Sequence, residues 1–282
     1  MTEENVAARY PGRLPFSDLF WHGTAVAGVV ASNATMLAGV NRYVTLLAVK
    51  IADSTNARSV GRLLSGIVYA ADQGADVINV SWGHERDKSA NPGIVAAFER
   101  AANYAFRKGA LLVSLPFNDS ADLDHNGDLV RLPCEAANAI CVSATGPTAS
   151  AGINGPWQNV DAPASYTAFG RSAVDVAAPG GDGIAGQFRG VTLLCTTTPT
   201  TTTPIPPCRA RRLVTGFGRG TSFAAPTVAG LAALLVAQLG HGNPALIRAR
   251  ILQSTDDLGE PGVDPIYGHG RINIARALGL IK

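Results

Sequence analysis

The residues of this chain best suited to covalent chemistry lie in Gly220-Thr221-Ser222-Phe223-Ala224-Ala225-Pro226, which puts one serine at the start of an apolar, alanine-rich run. Gly216, Gly218 and Gly220 lead into it, and glycine lets a backbone turn tightly and come close to a ligand. A helix beginning here offers unpaired N–H groups and a partial positive charge. A serine nucleophile needs both beside it when negative charge develops on a substrate oxygen. Pro226 is expected to fall in the first turn or so, where proline costs little. The same serine would also make a good N-cap, so this stretch alone leaves both readings open.

The elements that would position it alternate. His22 to Ser32 is a small-residue apolar segment read as a buried helix, and Val44 to Ile51 reads as a short strand. Ser59 to Gln73 has apolar residues at helical spacing and stops at Gly74. Ala75 to Val80 is a β-branched strand ending in Ser81-Trp82-Gly83. A helix over Ile94 to Lys108 stops at Gly109. Strands follow at Ala110–Leu115, Ile140–Ala144 and Val174–Ala178, then helices at Ser222–Leu239, Pro244–Thr255 and Asn273–Leu278. Strands alternating with helices predict an α/β fold, a mostly parallel sheet covered on both faces. Working residues gather at the carboxyl ends of such strands, where Ser81-Trp82-Gly83 and Asn118 stand.

Composition narrows the field. With 282 residues, 46% apolar and 16% charged, the chain has ample material for one large core. A net charge of +2 gives no electrostatic case for nucleic acid. The longest apolar run, near Leu231 to Leu239, is too short for a membrane span. Met1 to Arg9 is polar and lacks the apolar core of a signal peptide. The four cysteines fall in local pairs, Cys134/Cys141 and Cys195/Cys208, without zinc-ligand spacing, and are read as two short disulfide loops. Disulfides imply an oxidising, extracellular compartment. The Thr/Pro-rich stretch 196–207 reads as a surface insertion within a single domain spanning 1–282.

Two long motifs then carry a resemblance. His22-Gly23-Thr24-Ala25-Val26-Ala27-Gly28 resembles the histidine motif of subtilisin-like serine proteases, and Gly220 to Pro226 resembles their serine motif. Ala75 to Gly83 is similar to their substrate-binding strand, Asp175-Val176-Ala177-Ala178-Pro179-Gly180 to the segment before the serine motif, and Tyr267 to Asn273 to their closing turn. The resemblance implies a three-layer α/β/α sandwich and an endopeptidase working through an acyl-enzyme on a polypeptide substrate, as a monomer and with no cofactor. It makes Ser222 the nucleophile, His22 the general base and Asn118 the oxyanion donor. Ser81, Trp82 and Gly83 would pair with an extended substrate, with Phe117 beside them.

The chain departs from the pattern twice. The family's aspartate follows a first strand roughly thirty or more residues before the histidine. Only 21 residues precede His22, and Asp18 is the sole aspartate among them. The expectation is a chain without its N-terminal strand and catalytic acid, so a peptide-binding relative without turnover stands as the alternative. Before Asn118, where the family usually has small residues, stand Leu115-Pro116-Phe117. Phe117 would fill the specificity pocket or displace Asn118. Gly181 to Gly186 fits G-x-G-x-x-G but has neither the helix nor the later acid of a dinucleotide site. Asp122 to Asp128 resembles the first half of a calcium loop, with Pro133 where the closing glutamate would stand. A structural calcium is allowed; no catalytic metal is expected.

Overall fold

The computed structural model describes residues 6–9, 11–12, 14–34, 37–53, 57–183, 188–195 and 215–281. In chain order the elements that build the site are α1 (His22–Ala31), α2 (Val60–Asp72), β1 (Val77–Asn79), β2 (His84–Asp87), α3 (Pro92–Arg107), β3 (Leu111–Ser114) and β4 (Leu129–Leu132). They continue with β5 (Ile140–Thr145), β6 (Val176–Pro179), β7 (Val191–Leu194), β8 (Thr215–Gly218), α4 (Thr221–Leu239), α5 (Pro244–Gln253) and α6 (Ile274–Ala277).

Side-chain alternation along the strands dictates the layers. Leu111, Val113 and Leu115 point into one core with Ile140, Val142, Val176 and the α4 residues Val228 and Leu235. Leu112 points the other way, joining Ile78, Val80, Leu63 and Ile67 of α2, and Phe98 of α3. The strands pair in the order β6-β5-β3-β1, all parallel. Every residue of β3 and β5 is buried, as expected of parallel strands covered on both faces. The result is the expected α/β/α arrangement. The closing turn covers the β6 edge: Ala177 N–H donates to Gly270 O and Ile272 N–H to Ala177 O.

Three expectations change. Val44 to Lys50 forms no strand. Val49 and Ile51 pack against α2, but Leu46 and Leu47 face solvent. Among the described residues β1 is paired on one side only, and this segment does not hydrogen-bond to its other edge. Helix α4 begins at Thr221, and its 19 residues are long and apolar enough to cross a bilayer; here it is the central, mostly buried helix of the core. Two antiparallel pairs, β2 with β4 and β7 with β8, lie outside the main sheet and were not foreseen. Cys134 and Cys141 form the expected disulfide, with Cα atoms 4.8 Å apart. Cys195 is disulfide-bonded, while its expected partner Cys208 and the stretch 196–207 lie outside the described residues.

Candidate active site

Ser222 is the second residue of α4, and the N-cap is Gly220, at φ 149° with no side-chain capping bond. The capping role is therefore not the serine's. Its hydroxyl donates a long bond, 3.4 Å, to the carbonyl of Ser81. Pro226 lies inside the helix rather than in its first turn. Proline has no N–H to give the carbonyl four residues back, which here is that of Ser222. Ser81 Oγ takes up the vacated acceptor at 2.8 Å, and Ser81 is itself held by Asn79 Nδ2 at 2.9 Å. The proline thus ties the backbone of Ser222 to the segment that follows β1.

Asn118 stands on the other side. Its Oδ1 accepts from Thr221 N–H at 2.8 Å and Thr221 Oγ1 at 2.9 Å. With the amide oxygen so engaged, its NH₂ is the end left to donate. The first-turn N–H of Ser222, which has no intrahelical acceptor, is the second donor at this helix start. Phe117 has not displaced Asn118: it sits at φ 82°, and its ring turns towards Gly83. Gly220 is fixed by Tyr166, whose hydroxyl accepts from Gly220 N–H at 2.8 Å and lies 3.0 and 2.7 Å from the carbonyls of Gly180 and Gly181. Burial raises the Tyr166 pKa, so this hydroxyl stays protonated.

His22 opens α1. Its ring lies 5.8 Å, centroid to centroid, from that of Phe223, the residue after Ser222, and 5.5 Å from that of Trp21. The fold therefore brings it to the same helix start. Among the described residues nothing hydrogen-bonds the imidazole. Asp18, the acid next to His22 among the described residues, is committed elsewhere. Its Oδ1 accepts from Phe20 and Trp21 N–H, and its Oδ2 from Thr24 N–H and Oγ1, all at 2.7–2.8 Å. Those bonds secure the entry to α1, where Trp21 sits at φ 130°. Burial, then the Arg58 guanidinium, lower the His22 pKa to about 4; the Asp18 charge opposes them. The imidazole is neutral at pH 7.

Arg58 lies 4.6 Å over the Trp82 ring, and Trp82 packs edge-on against His84 at 4.3 Å. The polar loop after Asn118 does not fit a calcium cage. Asp122 Oδ1 accepts from Asp124 N–H and its Oδ2 pairs with His125. Both oxygens of Asp124 bind the backbone at Arg171 and Ser172. No cluster suited to a metal occurs among the described residues. The expected His22, Ser222, Asn118, Ser81, Trp82, Gly83 and Phe117 all bear on this one region. Tyr166, Thr221, Asn79 and Arg58 were missed. Thr221 and Asn79 lie inside the quoted motifs without a role assigned to them, whereas Tyr166 and Arg58 act through contacts distant in sequence that no motif marks.

The fold matches solved serine protease structures. A lanthipeptide protease superposes with a TM-score of 0.74 at 24% identity, covering 93% of this chain and 75% of that one. An epidermin leader peptide processing serine protease from Staphylococcus aureus also gives 0.74, at 22% identity, covering 92% and 63%. The subtilase family model matches residues 5–270, and the chain belongs to that family. Thermitase from Thermoactinomyces vulgaris is 32% identical over 260 residues, 91% of this chain and 74% of thermitase. A thermophilic serine proteinase from Bacillus sp. (strain AK1) is 32% identical over 268 residues, 93% of this chain. The chain spans about half the length of that Bacillus relative, 53%.

Proposed function

We propose that this chain is a serine endopeptidase domain whose reaction starts at Ser222. The supporting observation is the convergence on one helix start of a hydroxyl, a side-chain amide with its oxygen already engaged, and a neutral imidazole. Ser222 Oγ attacks the peptide carbonyl and its proton passes to His22. Asn118 Nδ2 and the Ser222 N–H take the developing oxyanion. The C–N bond breaks as His22 returns the proton to the leaving amine, and water then releases the acyl group by the reverse sequence. The extended substrate adds alongside Ser81 to Gly83 through main-chain hydrogen bonds. A disulfide-bonded chain of this kind belongs in an oxidising, extracellular setting.

His22 is in the correct protonation state to accept a proton, but its surroundings resist the cation that results. Among the described residues no carboxylate bonds the imidazole, and a histidine left without one turns over about 10⁴-fold more slowly than a complete triad. A second reading follows from the same observation: the groove binds peptides and does not turn them over. A fluorophosphonate probe separates the two. Labelling of the folded chain that Ser222→Ala abolishes supports the enzyme. A folded chain that binds extended peptides but resists the probe supports the binding module.

A further inference from the structure

Two segments flank Ser222. β1 and β3 are neighbouring parallel strands. Their carboxyl-terminal extensions, Ser81–Gly83 and Leu115–Asn118, both reach the start of α4. A peptide whose carbonyl reached Ser222 Oγ with its oxygen towards Asn118 would bring the side chain on its acyl side up to these extensions.

The Phe117 ring lies between these extensions, beside Gly83. A Cβ built on Gly83 would lie 2.9 Å from Phe117 Cε1 and 3.2 Å from Cζ, so the ring lies against the glycine. The Arg131 guanidinium, on β4, caps the ring at 4.8 Å from its centroid. Arg131 is 4% exposed, and its Nη2 pairs with Glu85 at 2.6 Å and Asp119 at 2.8 Å. The backbone is held as well. Phe117 adopts φ 82°, which costs a bulky residue energy, and its carbonyl accepts a long bond from Ala168 N–H at 3.4 Å. A ring merely filling empty space would need neither an unfavourable backbone nor a buried, doubly paired arginine over its face.

We propose that Phe117 plugs the pocket for the residue whose carbonyl is attacked, so that the site accepts glycine or alanine there and excludes leucine, phenylalanine and other large side chains. The proposal rests on the reading of Ser222 as the nucleophile facing a bound peptide. Phe117→Gly should empty the space the ring occupies, and glycine suits the positive φ, so the variant should fold.

The test uses N-acetylated tetrapeptide aldehydes that differ only in the last residue, glycine, alanine, leucine or phenylalanine. Each competes with a small fluorophosphonate for Ser222. In the natural chain the glycine and alanine aldehydes should protect at least tenfold better than the other two, and Phe117→Gly should reverse the order. Equal protection by all four in the natural chain overturns the plug, as does an unchanged order in folded Phe117→Gly. If neither protein takes the probe, the nucleophile reading fails separately. The pocket is then read without chemistry by titrating the same peptides, as free acids, into Ser222→Ala and Ser222→Ala/Phe117→Gly and following amide shifts. Tighter binding of the large residues only after Phe117 is removed supports the plug; indifference to Phe117 overturns it.

Discussion

Acidification from pH 8 to pH 5 interrogates the surroundings of His22 directly. Its folded pKa is about 4, against 6.5 for an ordinary histidine. The unfolded chain therefore takes up the proton first. Stability carried by the neutral, partly buried imidazole is complete above about pH 6.5 and is lost as the pH falls through 6.5 towards 4. At pH 5 the unfolded ring is almost fully protonated and the folded ring about one-tenth so, which corresponds to about 2 kcal/mol; the full difference, reached below pH 4, is about 3 kcal/mol. His84, also lowered to about 4 by burial, Arg86 and Arg58, acts in the same direction, so the two must be separated. Urea unfolding at pH 8 and pH 5 of the natural chain and of His22→Gln isolates the His22 share. The stability advantage of the natural chain over the variant should shrink by about 2 kcal/mol between those pH values. Proton NMR of the imidazole gives the pKa itself, and Arg58→Ala should raise it part of the way, since burial is the larger cause. A His22 resonance that titrates near 6.5, or the same pH dependence in His22→Gln, would refute the account of a partly buried ring beside a cation.

Two further substitutions probe the helix start. Asn118→Ala should slow acylation of Ser222 by an activated ester about 10²–10³-fold, the usual worth of one oxyanion donor. Thr221→Val, which leaves Asn118 Oδ1 only the backbone donor, should slow it by about fivefold, the worth of an ordinary hydrogen bond; stopped-flow release of the leaving group reads both. Tyr166→Phe strips Gly220 N–H and two glycine carbonyls of their shared hydroxyl and should cost about 1–3 kcal/mol in urea unfolding.

The layers of the fold were legible because they depend on local periodicity. The strand expected over Ala110 to Leu115 and the helix expected over Ser59 to Gln73 survive in the structure with shifts of a residue or two at their ends. The strand expected at Val44–Ile51 failed because a strand is completed by a neighbour, and its apolar residues say nothing about whether one is present. The β7–β8 pair was hidden for the opposite reason: Gly216 and Gly218 read as a flexible approach, yet they are ladder residues facing Leu193 and Val191. At the site, residue types with a distinctive sequence setting were found. Those that work through distance were not: Tyr166 reaches Gly220 across 54 positions, and Thr221 reaches Asn118 across 103.

Asp18 shows why a residue's type and nearness do not establish its role. It stands four positions before His22 and its charge does favour the imidazolium. A carboxylate that orients a histidine must nevertheless offer it a lone pair in the right direction. Asp18 has turned both oxygens onto the chain entering α1, where Trp21 holds a positive φ and needs the support. Swinging it to His22 would release four hydrogen bonds, each worth about 1 kcal/mol or more to a charged acceptor, to gain one. The opposing charge nearby belongs to Arg58, which disfavours the imidazolium that peptide hydrolysis requires. Among the described residues, Ser222 and Asn118 are held by more contacts than the His22 imidazole. Chemistry that needs a reactive serine but little imidazolium, such as phosphonylation or acylation by esters with good leaving groups, should therefore outrun amide hydrolysis by more than it does where a carboxylate holds the histidine.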